Sequence, residues 1–239
     1  MTREDYRARL ERLRDAVVSM GDLVCERLAD AVTALFTDDR ALAGEVITDD
    51  SSVNDRYLEV ERECLDLLAL YQPVAGDLRF VVAAFKIATD LERVGDLAVN
   101  LAEYTLSSTD ASPPIPDVDF ERIAALALEQ IERAVEAFGT DDADACFAIA
   151  DRDDELDARC ATVAERVVRT LIELRAPDPN SNRGRDIRHD LVDSPIADVI
   201  SDVSRTFVIV RDLERVGDHA VNVAARTLYA LENSEELLV

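Results

Sequence analysis

Lysine, tryptophan, glycine and proline are all scarce in this 239-residue chain. It has one lysine, Lys86, no tryptophan, seven glycines and seven prolines, whereas 48% of its residues are apolar. Few positions therefore interrupt a helix, and apolar residues recur at helical spacing along most of the sequence. No strand pattern of any length competes. The sequence predicts an almost wholly helical protein.

Long hydrophobic runs and paired cysteine motifs are also missing. The longest apolar runs fall far short of the roughly 20 residues that a membrane span needs, and no signal-peptide pattern is present. We therefore expect a cytoplasmic protein without membrane insertion. The four cysteines show no C-x-x-C spacing and are expected to be reduced core residues; they are Cys25, Cys64, Cys146 and Cys160.

Positive charge is the third deficit. The chain has 51 acidic residues, 31 of them aspartate, against 26 basic ones, which gives a formal net charge of −25. A surface this acidic repels the phosphates of nucleic acids and of anionic lipids, so we expect no direct nucleic acid binding. The acidic residues are spread along the whole chain, a pattern that indicates adaptation to the molar-salt cytosol of an extreme halophile, where charge repulsion is screened.

One stretch occurs twice. Residues 90–102, DLERVGDLAVNLA, return 122 positions later as residues 212–224, DLERVGDHAVNVA, with eleven of thirteen positions identical. On a helix, Glu92, Asp96 and Asn100 lie on one side, each about 40° past the last. The same wheel places Glu92 beside apolar side chains, and Glu214 has equivalent neighbours including Phe207; those around Glu92 are Val81, Phe85, Ala88 and Val99.

Carboxylates on an apolar stripe have to be protonated, paired with a cation or bound to a metal. A cation site would use Glu92, Asp96, Glu214 and Asp218. The alternative is a lattice of ion pairs at i,i+3 spacing, in which Arg93 and Arg215 pair with Asp90 and Asp212 or with Asp96 and Asp218. Glycine inside each motif, at Gly95 and Gly217, indicates a close neighbour.

A second set of oxygen-bearing residues has the same i,i+4 spacing on the preceding helix of each half. Asp50 and Asn54, and then Asp153 and Asp157, would complete the two sites if that helix packs against the motif; otherwise they are solvated acids near a helix start. An all-oxygen site suits Mg, Ca, Mn or ferric iron better than Zn. His219 lies about 140° from Glu214 and is not expected to be a ligand.

Helix signals divide the chain into two similar halves. In the first we predict a helix from Thr2 through Leu35, a second after Asp39 that bends at 49–52 and ends near Tyr71, and a third from Gln72-Pro73 to Ser107. In the second we predict helices over 120–138, closed by Gly139, over 141–175 and over 195–232. A proline-rich linker at 109–118 separates a first domain, 1–108, from a second, 119–239. A loop at 176–193 carries Arg183, Arg185, Arg188 and His189.

The repeated motif, together with the stretch QPVAGDLRF at 72–80, Lys86-Ile87 and GDHAVN at 217–222, closely resembles the PhoU family. That resemblance implies an all-α protein, a tandem repeat of two three-helix bundles in an elongated six-helix array, and often a homodimer. It also implies E/D-x-x-x-D pairs that bind metal ions such as Mg, Mn, Fe or Zn, here Glu92/Asp96 and Glu214/Asp218, with Asp50/Asn54 and Asp153/Asp157 as counterparts. Candidate further ligands are Asn100, Asn222, Asp90 and Asp212, and candidate anion or partner contacts are Arg79, Arg93 and Arg215.

The function that the resemblance implies is negative regulation of phosphate uptake. The expected partners are the ATPase of a phosphate ABC transporter and a phosphate-sensing histidine kinase. No nucleophile-base pair, glycine-rich phosphate loop or Walker motif is present, so we do not expect an enzyme. Two alternatives stay open: a metal-free acidic interaction scaffold, and a di-iron enzyme, although neither motif copy has the histidine three residues after its glutamate that such bundles use.

Overall fold

A computed structural model describes the backbone over residues 3–107, 119–175 and 195–238, and the side chains over 4–107, 119–169 and 203–238. The regular structure in these ranges is entirely α-helical, which confirms the predicted fold class. The helices are α1 (Arg3–Thr37), α2 (Arg40–Thr48), α3 (Asp50–Tyr71), α4 (Ala75–Ser107), α5 (Phe120–Thr140), α6 (Ala143–Arg175) and α7 (Pro195–Glu232). The predicted linker at 109–118 and the arginines and His189 of the 176–193 loop lie outside the described residues.

The break in the second predicted helix is confirmed. Asp39 caps α2, where its carboxylate accepts hydrogen bonds from two backbone N–H groups, and α2 ends at Thr48 before α3 begins at Asp50. The side chain of Arg27 on α1 forms an ion pair with Asp49 at this bend. Counting α2 and α3 as one bent helix, the described residues form six helices.

Two predicted helix boundaries were wrong. Helix α4 starts at Ala75 rather than at Gln72-Pro73, because Gln72 and Ala75 adopt positive φ angles of 49° and 50° that end α3 and redirect the chain. Gly139 does not close α5 but lies inside it, and the residue with positive φ is Asp141, at 58°. A Cβ on Gly139 would lie 3.1 Å from Cγ2 of Val18, so this glycine instead allows α1 and α5 to approach closely.

The helices form two three-helix bundles that pack side by side. In the first half α3 packs on α1 and α4, and in the second half α6 packs on α5 and α7. Contacts between α4 and α7, and between α1 and α5, join the halves, so these four helices surround a shared core flanked by α3 on one side and α6 on the other. Where the halves meet, Phe80 stacks on Phe138 at 5.7 Å between ring centroids.

All four cysteines are buried and unpaired, as predicted. None of the described helices combines the length and the hydropathy that crossing a membrane requires.

Candidate functional site

The first carboxylate cluster lies between α3 and α4. Glu92 and Asp96 project from α4, and Asp50 projects from the start of α3, which packs against α4. The absence of a side chain at Gly95 permits this packing, since a Cβ there would lie 3.1 Å from Cγ1 of Val53 on α3. The close neighbour expected for this glycine is therefore Val53.

Burial and mutual repulsion both act on the carboxylates of this cluster. Burial raises the pKa of Glu92, and Asp96 and Asp50 add to the rise, while Arg93 opposes it. Burial and the charge of Asp50 likewise raise the pKa of Asp96, against the opposing charge of Arg215 from the second half. Asn54, which is exposed, donates a 3.4 Å hydrogen bond to Asp50 and adds no charge.

The second cluster is more acidic and more tightly built. Asp153 and Asp157 on α6 face Glu214 and Asp218 on α7, so four carboxylates meet where the first half has three. Burial is the largest cause of the raised pKa of Glu214 and of Asp157, followed by the charges of neighbouring carboxylates. The pKa of Asp153 rises to about 6, mainly through burial and with help from Asp157 and Asp218.

Gly217 and Gln130 complete the second cluster. A Cβ on Gly217 would lie 2.7 Å from Oδ1 of Asp153 and 2.5 Å from Cδ2 of Leu156, so α6 approaches α7 here because residue 217 has no side chain. Gln130 on α5 donates a 3.1 Å hydrogen bond from Nε2 to Asp153, whereas its buried Oε1 has no partner. An orphaned acceptor oxygen beside four carboxylates favours a cation or a water molecule at this place.

The residue at the position of Gln130 differs between the two halves. At the 103-residue offset that separates Asp50 from Asp153, the counterpart of Gln130 is Arg27, which pairs with Asp49. In the first half this position therefore carries a guanidinium paired with Asp49, and in the second half it carries a neutral amide whose Oε1 has no hydrogen bond.

The oxygen donors fit a hard cation in their chemistry. Among the described residues, however, no group of three or more His, Cys, Asp and Glu side chains is arranged to hold a metal ion. Coordination at either cluster would require carboxylate side chains to rotate toward one another.

The motif carboxylates lie at the edge of the apolar stripe and not within it, although two of the predicted neighbours of Glu92, Val81 and Ala88, are fully buried. Glu92 and Glu214 are half-buried, and Asp96 and Asp218 are exposed. Phe85 and Phe207, placed beside the glutamates on the helical wheel, are 36% and 46% exposed. The buried face of α4 is centred near Leu91, about 100° from Glu92, so the carboxylates lie at the edge of the packed face, where α3 and α6 reach them.

Asp90 and Asp212 are the deeply buried acids of the motif, with exposures of 8% and 1%. Asp90 on α4 is held by the second half: its Oδ1 lies 2.9 Å from Nδ1 of His219 and accepts a 3.4 Å hydrogen bond from Asn222. His219 is thus a contact between the halves, and Asn222 points toward Asp90.

Asp212 on α7 is held in turn by the first half. The hydroxyl of Tyr104 donates a 2.9 Å hydrogen bond to its Oδ2, and burial together with this bond raises the pKa of Tyr104 to about 12. No hydrogen bond reaches Oδ1 of Asp212, although guanidinium nitrogens of Arg211 and Arg215 lie 3.6 Å away. The Arg215–Asp212 pair confirms one of the predicted i,i+3 contacts.

The pairing of both aspartates across the halves was not predicted. The signal in the sequence was the histidine at 219, which replaces Leu97 in an otherwise identical segment.

Arg93 and Arg215, the same position of the two motif copies, line one cavity. It has a volume of about 260 Å³ at the junction of α3, α4 and α7, and its other lining residues are Asp50, Asp96, Leu97, Val99 and Asn100. Arg79 is elsewhere, about four turns earlier on α4, in a second cavity with Arg14 and Asp77. The structure therefore groups two of the three candidate anion-binding arginines and separates the third.

Comparison with known proteins gives a consistent result. The PhoU domain family matches this chain twice, over residues 17–105 and 120–227. The PhoU homolog of Pseudomonas putida, a phosphate-specific transport system accessory protein, is 30% identical over 233 residues, which cover 97% of this chain and 82% of the relative.

Two crystal structures have the same fold. PhoU from Pseudomonas aeruginosa is 30% identical and superimposes with a TM-score of 0.82 over 96% of this chain and 100% of its own. The regulatory protein PhoU from Streptococcus pneumoniae, at 24% identity and a TM-score of 0.79 over 96% of this chain and 98% of its own, shares the fold. The family match and the relative from Pseudomonas putida, which is named as an accessory protein, agree with the prediction that the chain is not an enzyme.

Proposed function

This chain belongs to the PhoU family, and we propose that it is a cytoplasmic regulator that restrains phosphate uptake when phosphate is plentiful. The support is a match to accessory proteins of the phosphate-specific transport system over 97% of the chain. Its partners would be the ATPase of a phosphate ABC transporter, a phosphate-sensing histidine kinase, or both.

The regulator would bind metal ions at its carboxylate clusters, more tightly at the second than at the first. The observation that carries this part is the convergence of Asp153, Asp157, Glu214 and Asp218 between α6 and α7. Burial, and then repulsion by neighbouring carboxylates, raises the pKa of Asp153, Asp157 and Glu214. A bound cation would relieve that repulsion, and Oε1 of Gln130 would supply a neutral oxygen ligand. The first cluster has one carboxylate fewer and faces Arg93 and Arg215, so it would hold a cation more weakly.

A metal at this surface would serve regulation through its open coordination positions. A cation held by carboxylates on one side can accept an oxygen from a partner protein on the other. Binding of metal would thus determine whether a partner can dock on the α6–α7 face.

A metal-free interaction scaffold is the competing proposal, and a specific observation favours it: the described side chains form no ready group of three metal ligands. In that case the acidic clusters would contact basic partner residues directly. The highly acidic composition would serve solubility in molar salt, and equal stability at low and at molar KCl would contradict that role.

One experiment separates the two proposals. The variant E214A/D218A is compared with E92A/D96A and with the matched control D151A/E136A, which removes two exposed acids outside both clusters. Each is purified without chelator for elemental analysis, and each is tested for repression of a phosphate-responsive reporter in a host lacking its own regulator.

The metal proposal expects stoichiometric metal in the wild type and the control, loss of metal and of repression in E214A/D218A, and a smaller loss in E92A/D96A. A wild type that represses without bound metal supports the scaffold, in which a loss of repression in E214A/D218A, with the helical content unchanged, would reflect lost contacts with basic partner residues. We also propose a homodimer, which light scattering of the purified chain would test.

A further inference from the structure

We propose that the cavity between α3, α4 and α7 binds one tetrahedral oxyanion of the phosphate class, held between Arg93 and Arg215. This goes beyond the proposed function, because a regulator controlled only by its partners needs no anion site of its own. The site is distinct from the second carboxylate cluster, to which we assign the stronger cation binding.

The donors converge from both halves of the chain. Arg93 comes from the first motif and Arg215 from the second, and both line the 260 Å³ cavity together with the amide of Asn100. Two guanidinium groups and one amide are suited to an anion with several oxygens, because each guanidinium can donate two parallel hydrogen bonds. Arg215 comes from α7 and lines the same cavity as Asp50 and Asp96 of the first half, so it lies across the joint.

The acceptors in the cavity indicate which oxyanion fits. Asp50 and Asp96 line the same space and repel any fully deprotonated anion. Phosphate near neutral pH keeps at least one P–OH group, which can donate a hydrogen bond to a carboxylate, whereas sulfate keeps none. A cavity that combines guanidinium donors with carboxylate acceptors therefore favours phosphate over sulfate.

The difference between the motif copies predicts one site per chain. At the position equivalent to Leu97, the second copy has His219, whose ring is engaged with Asp90, and Asn222 also binds that aspartate. In the first copy Leu97 leaves the cavity open, Asn100 lines it, and Oδ1 of Asp212 has no hydrogen bond. We therefore place the site at the first copy, where Leu97 and Asn100 line the cavity.

The test measures binding of inorganic phosphate to chelator-treated protein by isothermal titration calorimetry, with sulfate at matched ionic strength. Sulfate is the necessary comparison, because both anions stabilise folded proteins non-specifically. The variants are R93Q and L97H, the latter placing in the first copy the side chain that the second copy already has. R133Q removes an exposed arginine on α5 and is the control for the loss of one positive charge.

We expect one phosphate per chain, at least about tenfold weaker binding of sulfate, and at least about tenfold weaker phosphate binding in R93Q. L97H should abolish phosphate binding while retaining both arginines, and R133Q should bind like the wild type. Unchanged binding in either R93Q or L97H, equal affinity for sulfate, or no binding by the wild type would overturn the assignment. Circular dichroism of each variant separates loss of the site from loss of the fold.

Discussion

Replacing a helical glycine by alanine adds one methyl group, and the distances from this group to neighbouring atoms predict its effect on the stability of the fold. At Gly217 the added Cβ would lie 2.5 Å from Cδ2 of the fully buried Leu156 and 2.7 Å from Oδ1 of Asp153. At Gly95 the nearest atom is Cγ1 of Val53 at 3.1 Å, and at Gly44 on α2 nothing lies within 4 Å.

Two effects oppose each other in this series. Alanine is favoured over glycine in a helix interior by about 1 kcal/mol, and this gain applies at all three positions. Overpacking costs about 1–3 kcal/mol and applies where the methyl group meets side chains that cannot move away. G44A should therefore stabilise the protein by up to about 1 kcal/mol, G95A should be nearly neutral, and G217A should be about 1–3 kcal/mol less stable than G44A.

Urea unfolding followed by far-UV circular dichroism measures these differences, and thermal unfolding should follow at about 2–4 °C for each kcal/mol in a chain of this size. G217A should also weaken any metal binding at the second cluster, because the methyl group displaces the carboxylate of Asp153. If G217A is stabilised as much as G44A, the close approach of α6 and α7 described above is wrong.

Three further predictions concern Asp90, Asp153 and Asp212. H219L removes the side chain that lies 2.9 Å from Asp90 and should lower the free energy of unfolding by about 3 kcal/mol. The double variant H219L/D90L should recover most of this loss, and a lack of recovery would refute a direct pair between the two side chains. In chelator-treated protein the pKa of Asp153 rises from 3.8 to about 6 on folding, so this side chain favours folding at about pH 4 and loses the contribution as the pH rises through about 6. D153N should therefore flatten the dependence of stability on pH between about 4 and 6, and an unchanged dependence would contradict the assignment. Y104F leaves Oδ2 of Asp212 without its 2.9 Å donor and should cost about 1–3 kcal/mol in the same assay, whereas a neutral effect would show that water replaces the hydroxyl.

Helix periodicity and the repeat were sufficient to predict the fold. Apolar spacing, capping residues and the two prolines 122 positions apart gave helices whose ends mostly lie within a few residues of those observed. The two wrong helix boundaries have one cause. We expected one helix to begin at Gln72-Pro73 and another to end at Gly139, whereas the residues with positive φ at these turns are Gln72, Ala75 and Asp141.

The site was predicted less completely, because a helical wheel gives the direction of each side chain but does not show which neighbouring helix packs there. The wheel grouped Glu92 with Phe85 correctly, but it placed both at the centre of the buried face when they lie at its edge. Contacts between the halves depend on how two bundles pack, and nothing local in the sequence specifies that Asp90 meets His219.

The crossed pairing of the two aspartates makes the halves dependent on each other. Asp90 finds its partners on α7, and Asp212 finds its hydroxyl donor on α4, so a half produced alone would carry an unmatched acid on an uncovered apolar surface. Fragments 1–107 and 119–239 should therefore be poorly soluble separately and should associate when expressed together. They should prefer each other to copies of themselves, because the histidine that binds Asp90 exists only in the second fragment. Fusion of the halves into one chain thus permits an asymmetric joint that two identical subunits could not form.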